Sequence, residues 1–289
     1  MQSRLNGFLH RHSGTLLALP TVFWLVVFFL VPLVIIAAVS FLTRTSVGVG
    51  TTPLTFAAYE RAFRLFGNVI FRSVWTAFLT TIVCLLVGYP LAFFIRTRRT
   101  VLRERVALFL IMLPFWTNFL VRTYAWQVLL SRNGVVNGFL MTHGFIAEPI
   151  QFLNTLFALL LGLTYGYLPY MVLPLYAALR RFDFKLMEAA QDLGANDWKT
   201  FWHVLFPSTL PSVIIGCILV FIPAIGDFVV SDLMGGSEGL MIGKLVENQY
   251  QGVGNMPLGA ALSVIMMLPI VITLVIYARM SRHEEINLL

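Results

Sequence analysis

Residues 183–211 read DFKLMEAAQDLGANDWKTFWHVLFPSTLP. They lie between two apolar runs, 152–179 and 208–233, each long enough to cross a bilayer as a helix, which takes about 20 apolar residues. The stretch itself has the period of two short amphipathic helices. Asp183 is placed to cap the first, and Leu186, Met187, Ala190 and Leu193 fall on one face at i, i+3, i+4 and i+7 spacing. Gly194 is placed to end it in a left-handed conformation. Asn196 or Asp197 can cap the second, whose apolar face is Trp198, Phe201, Trp202 and Leu205, and Pro207 and Pro211 open the next apolar run. A bent pair of this kind, held between two spans, is a lever; an ordinary solvated loop with interfacial helices has the same periodicity.

Outward from that stretch, four more runs qualify as spans: 15–42, 70–95, 106–130 and 257–278. The expected architecture is an all-α membrane protein with six transmembrane helices. Composition agrees. Of 289 residues 58% are hydrophobic and 11% charged, against roughly 25% charged in a soluble domain. Arg4 and Arg11 ahead of the first run resemble a secretory signal, but the run is far longer than the about 7–15 residues of a signal core. The two cysteines, Cys84 and Cys217, sit inside apolar runs and read as packing residues, with no disulfide framework and no metal pattern.

Orientation follows from basic residues, which accumulate on the cytoplasmic side. The N-terminal tail 1–14 (Arg4, Arg11), segments 96–105 and 180–203, and the C-terminal tail 279–289 (Arg279, Arg282) hold 13 Lys and Arg; the other three connections hold 5 (Arg44, Arg61, Arg64, Arg132, Lys244). Both termini are therefore expected in the cytoplasm. The formal charge of +7 is explained by topology and implies no nucleic acid partner. Pro32, Pro114, Pro169, Pro174, Pro223 and Pro269 lie within spans, and Gly88, Gly162, Gly166, Gly216 and Gly226 permit close helix approach. Kinked, closely packed helices suit a pathway that opens and closes.

The run Glu188-Ala189-Ala190, three residues, Gly194, nine residues, then Val204, Phe206 and Pro207 closely resembles the EAA signature of ABC importer permeases, E-A-A-x3-G-x9-I-x-L-P. The resemblance implies a type I importer permease (MetI-like) fold in a bacterial inner membrane, crossed several times. It implies that the six-helix domain 15–278 carries cytoplasmic coupling helices at 183–207. It assigns Glu188, Ala189, Ala190 and Gly194, with Asp192 and Trp198 beside them, to docking on an ATPase. The implied partners are two cytoplasmic ATPase subunits, a second homologous permease, a periplasmic solute-binding protein and membrane lipid. Other segments are similar to the permeases of spermidine/putrescine importers: Gly88-Tyr89-Pro90-Leu91-Ala92, Leu113-Pro114-Phe115-Trp116-Thr117-Asn118 with Arg122, and Ser231-Asp232-Leu233-Met234-Gly235-Gly236 followed by Met241-Ile242-Gly243. Related permeases in that group carry other small organic solutes, of amino-acid-derivative, opine or organophosphonate type.

Carboxylates and aromatics in the spans are the candidate pathway. Asp227 and Asp232 fall in or at the outer end of the fifth span, where a charge costs roughly 2.5–3.5 kcal/mol and faces a cavity or a partner. Trp116, Tyr124, Tyr165, Tyr167 and Tyr170 would attract an ammonium by cation–π interaction. Arg122 and Arg72 are also intramembrane, so Asp227 either meets solute or pairs with one of them. In the 55–66 connection Phe56, Tyr59, Phe63 and Phe66 have helical spacing, which predicts a short outer helix facing the binding protein or lying at the membrane surface. No Walker A pattern and no G-x-S-x-G occur, and the five histidines lack metal-ligand spacing. The chain is expected to be neither an ATPase nor another enzyme, with no catalytic residue, no cofactor and no metal. The rival reading is a self-sufficient secondary carrier or channel.

Overall fold

The computed structural model describes residues 20–44, 50–51, 53–98, 100–236 and 239–286. The tail 1–14 with Arg4 and Arg11, the first residues of the 15–42 run, Arg99 and the last three residues lie outside the described residues, as do the side chains beyond Arg279. Apolar runs became helices as their length dictates: α1 (Pro20–Val39), α2 (Ala57–Arg96), α3 (Val101–Trp116), α4 (Phe119–Leu130), α5 (Val135–Thr142) and α6 (Leu156–Arg181). After them come α7 (Lys185–Asp192), α8 (Asp197–Ile225), α9 (Ile242–Glu247) and α10 (Met256–Ile286). Two two-residue strands, β1 (Thr43–Arg44) and β2 (Gly50–Thr51), pair antiparallel with Thr43 opposite Thr51. Among the described residues five helices are long and apolar enough to cross a membrane, or six spans if one bent pair is counted as one.

That bent pair corrects the expected third span. The 106–130 run is not one helix: α3 and the helices after it meet at 93°. The break has a local cause. Asn118 is extended and its side chain accepts from Leu120 N (2.8 Å), starting a new helix. Thr117 donates its hydroxyl to the Pro114 carbonyl (2.7 Å), closing the old one. The fifth span is also redrawn. The second helix of the 183–211 segment does not stop before it; α8 runs unbroken from Asp197 through a π turn at Phe201–Leu205. Pro207 has no N–H to close an α-type bond, and the widened turn precedes it. α8 ends at Ile225, so Asp227 and Asp232 stand beyond it rather than within it. The short outer helix expected at 55–66 is the first turns of α2, which continues to Arg96.

The chain divides into two compact units, Met1–Leu65 with Asn248–Ile265, and Phe66–Glu247 with Met266–Leu289. In the first, Ser40 and Tyr59 share a hydrogen bond between hydroxyls (2.7 Å), and Phe41 packs edge-on against Phe56 (5.3 Å). Arg44 donates to the Val253 carbonyl (3.3 Å). No residue of the α1 span is buried within the chain.

In the second unit α6 is the axis. Cys84, Tyr89, Ala92 and Ile95 of α2 and Leu205, Val213 and Val220 of α8 bury against Met171, Val172, Leu175 and Leu179. Met171 sits where two glycines let helices approach. A Cβ on Gly88 would stand 2.9 Å from its Cγ, and one on Gly216 2.7 Å from its Sδ. A second cluster joins Leu130, Leu159 and Leu163 to Val230, Met234 and Met241. It draws the segment after α8 back into the unit.

Candidate functional site

The 183–207 segment is capped as its residues require. The Asp183 carboxylate accepts from Lys185 N (3.0 Å), and Asn196, rather than Asp197, caps α8 through Lys199 N (2.8 Å). Gly194 has φ +89°, and Ala195 N closes back on the Ala190 carbonyl (3.0 Å). Gln191 reaches across the turn to Asp197 (2.8 Å), tying the two helices together. The segment is anchored to α2 by aromatics. Phe184 packs against Phe93 (6.4 Å) and lies under the Arg96 guanidinium (5.3 Å). Phe201 meets Tyr89 edge-on (5.4 Å), and the Tyr89 and Thr209 hydroxyls pair (2.9 Å). Of the predicted apolar face, Met187 packs inward, whereas Leu186 is exposed and Leu193 is 90% exposed. Glu188, Ala189 and Asp192 are exposed, Ala190 is half-buried, and Trp198 is 70% exposed. A rigidly held segment thus turns an apolar and acidic surface outward.

The helix break builds a second feature. A cavity of about 440 Å³ is lined by Phe115, Thr117, Phe119, Arg122, Tyr167 and Tyr170, with Gly166 and Pro223 completing it. Arg122 and Tyr170 thus line one cavity. Arg122 donates to the Pro114 carbonyl (2.8 Å) and lies over Phe119 and Tyr165, so it pins the bend. Tyr165 turns to Trp126 (5.4 Å). Trp116, 78% exposed, and Tyr124, 51% exposed, do not line the cavity. Phe115 and Phe119 do; the 93° turn brings them there, and no sequence period signals that.

Asp227 is 7% exposed, and Tyr167 donates to its Oδ2 (2.7 Å) while Val230 N donates to its Oδ1 (2.8 Å). Among the described residues no ion pair joins it to Arg122 or Arg72; of the two readings left open, pairing with an arginine is not seen, and neutral donors hold the carboxylate. Arg72 instead donates to the Leu240 carbonyl (3.1 Å). Asp232 lies elsewhere and pairs with Lys244 (3.1 Å), which also holds Glu247 (2.8 Å). The Glu247 carboxylate, then that of Asp232, keeps the Lys244 ammonium charged and raises its pKa.

Residues 88–284 match the family described as the binding-protein-dependent transport system inner membrane component. The chain belongs to this family. The permease is 40% identical over 260 residues to the spermidine/putrescine transport system permease protein PotB of Haemophilus influenzae, covering 90% of this chain and 91% of that one. Its fold is that of a chain in the crystal structure of a bacterial alginate ABC transporter bound to its periplasmic protein. The TM-score is 0.78 at 16% identity, over 97% of this chain and 98% of the other. A chain of the MetNI methionine ABC transporter in inward-facing conformations matches at TM-score 0.52 and 18% identity, over 74% of this chain and 95% of that one. The permease is therefore a multi-pass inner-membrane subunit of an ABC importer, a class that works with an ATPase and a solute-binding protein. Its relatives are transport subunits and not enzymes.

Proposed function

We propose that this permease carries a polyamine of the spermidine or putrescine class. In this reading it pairs with a second homologous permease and two ATPase subunits, both termini lie in the cytoplasm, and a periplasmic binding protein delivers the solute. The observation that carries the substrate class is the Asp227 carboxylate, buried and held by the Tyr167 hydroxyl and a backbone N–H rather than by a cation. Tyr167 also lines the aromatic cavity, so an ammonium entering there would meet π faces with the Asp227 carboxylate behind them, beside the Arg122 guanidinium of the same lining. The 40% identical spermidine/putrescine permease supports the same class.

Glu188, Ala189, Ala190, Asp192, Gly194 and Trp198 serve ATPase docking in this reading. Small alanines allow close approach, and Glu188 meets a basic residue. Closure of the ATPases pulls on 183–207; α8 continues directly from that segment, so the pull reaches the bundle and alternates access. The test is ATP-dependent uptake of labelled spermidine by the complete transporter in proteoliposomes. Saturable uptake competed by unlabelled putrescine is expected. Uptake of another solute with no response to either polyamine would remove the substrate assignment.

A further inference from the structure

A furrow of about 680 Å³ runs between α2 and the root of α8. Leu85, Leu86 and Phe93 of α2 form one wall, and Phe201, Trp202 and Phe206 of α8 the other. At Leu85 it meets a second apolar cavity of about 460 Å³, walled by Phe78 and Ile82 of α2, Ile214 and Phe221 of α8, and Ile276 of α10. From Phe93 to Phe78 the two follow α2 for about 22 Å at 1.5 Å per residue, against about 15 Å for the hydrocarbon of one leaflet. Those α2 residues lie within the apolar run 70–95, and Ile214, Phe221 and Ile276 within the runs 208–233 and 257–278. Met187, Asp197, Phe201 and Trp202 lie outside all three runs. One end of the furrow is therefore at the edge of the hydrocarbon, and the rest is within it.

The walls offer a partner little to hydrogen-bond. The Tyr89 hydroxyl is paired with Thr209, and Thr81 and Thr273 donate to carbonyls of their own helices. The walls also lack the small residues that let membrane helices pack closely; Gly88 and Gly216 approach Met171 instead. A slot of leaflet depth with bulky apolar sides suits an acyl chain better than a helix. Asp197 is the one charged residue of its lining. The Asp197 Oδ1 accepts from Gln191 (2.8 Å), and among the described residues Asp197 has no ion pair. Arg96, three residues past Phe93, does not line the furrow; it donates to the Leu179 carbonyl and lies over Phe184. Trp202, 43% exposed, adds an indole at the same end, of the kind that gathers at headgroup level. The 183–205 segment carries four carboxylates and two lysines, which disfavours an anionic headgroup. We infer that the furrow seats a phosphatidylethanolamine, its acyl chain along α2 and its ammonium on Asp197, where a primary ammonium donates a charge-assisted hydrogen bond. The lipid ties α2 to the root of α8. The inference needs the membrane class alone and not the polyamine reading.

The experiment reconstitutes the complete transporter in phosphatidylcholine vesicles with a trace of photoactivatable-chain lipid, headed by ethanolamine or by glycerol, and maps the labelled peptides. Peptides covering 78–93 and 201–221 take about threefold more label from phosphatidylethanolamine than from phosphatidylglycerol. Asp197→Asn removes that preference, and Asp197→Glu keeps most of it. Leu86→Trp, at a position 67% exposed, narrows the furrow and lowers its labelling about threefold relative to label elsewhere on the chain. Equal labelling by the two headgroups in the wild type overturns the inference without recourse to any variant. A preference that survives Asp197→Asn overturns it too, as does unchanged furrow labelling in Leu86→Trp. Label elsewhere on the chain with none at 78–93 or 201–221 also overturns it, and identifies a protein as the cover of the furrow.

Discussion

Asp227 and Tyr167 come from segments 60 residues apart, and their bond makes a buried carboxylate tolerable without a counter-ion. A buried polar group stripped of its partner costs about 1–3 kcal/mol. Tyr167→Phe is therefore expected to lower the permease's unfolding temperature in detergent and to weaken polyamine transport while membrane insertion is kept. Asp227→Asn removes the charge but keeps an acceptor for Tyr167. It is expected to lower spermidine uptake at least about tenfold with the ATPases still co-purifying. Asp232→Asn provides the contrast, because Lys244 already neutralises Asp232; its uptake is expected to fall less. If the two asparagine variants transport equally, Asp227 has no special part in recognition. Arg122, the charge that the apolar runs offer to Asp227, donates instead to the Pro114 carbonyl.

Among the elements, the 185–205 pair is the part most legible beforehand. Its caps and its glycine are written in local chemistry: Asp183 before a helix, Gly194 after it, Asn196 before the next. The φ of +89° at Gly194 costs a side chain with a Cβ about 1–2 kcal/mol, and Asn less than most. Gly194→Val is expected to fray the end of α7, reduce ATPase co-purification several-fold and lower uptake with it, whereas Gly194→Asn retains most of both. Equal loss in the two variants would show that Gly194 matters for clearance and not for backbone conformation. The broken third span was illegible for the opposite reason. The run 106–130 has apolar length enough for one helix, and the Thr117 and Asn118 bonds, with Arg122 on the Pro114 carbonyl, hold it at a 93° turn.

On the scale of the whole molecule, the exposed Leu186 and Leu193 of the α7 segment give this family member a surface for a partner. The polypeptide reconstituted alone is expected to move no polyamine against a gradient, with or without ATP. Concentrative uptake by this chain alone would revive the secondary-carrier reading. Charge shortage and span-length apolar runs made the membrane class unavoidable, because so much apolar surface has nowhere else to go but lipid or other protein. The spacing from Glu188 to Pro207 carries the likeness to the family, because its small residues, caps and turn stand at set positions along one local stretch. Tertiary structure alone decided where α2 begins, which neutral donors hold Asp227, and that Arg44 and Arg61 share one cavity with residues near 255. Those outcomes depend on which distant side chains meet. A hydrogen bond such as Arg44 to Val253, across 209 residues, leaves no periodic trace in the chain.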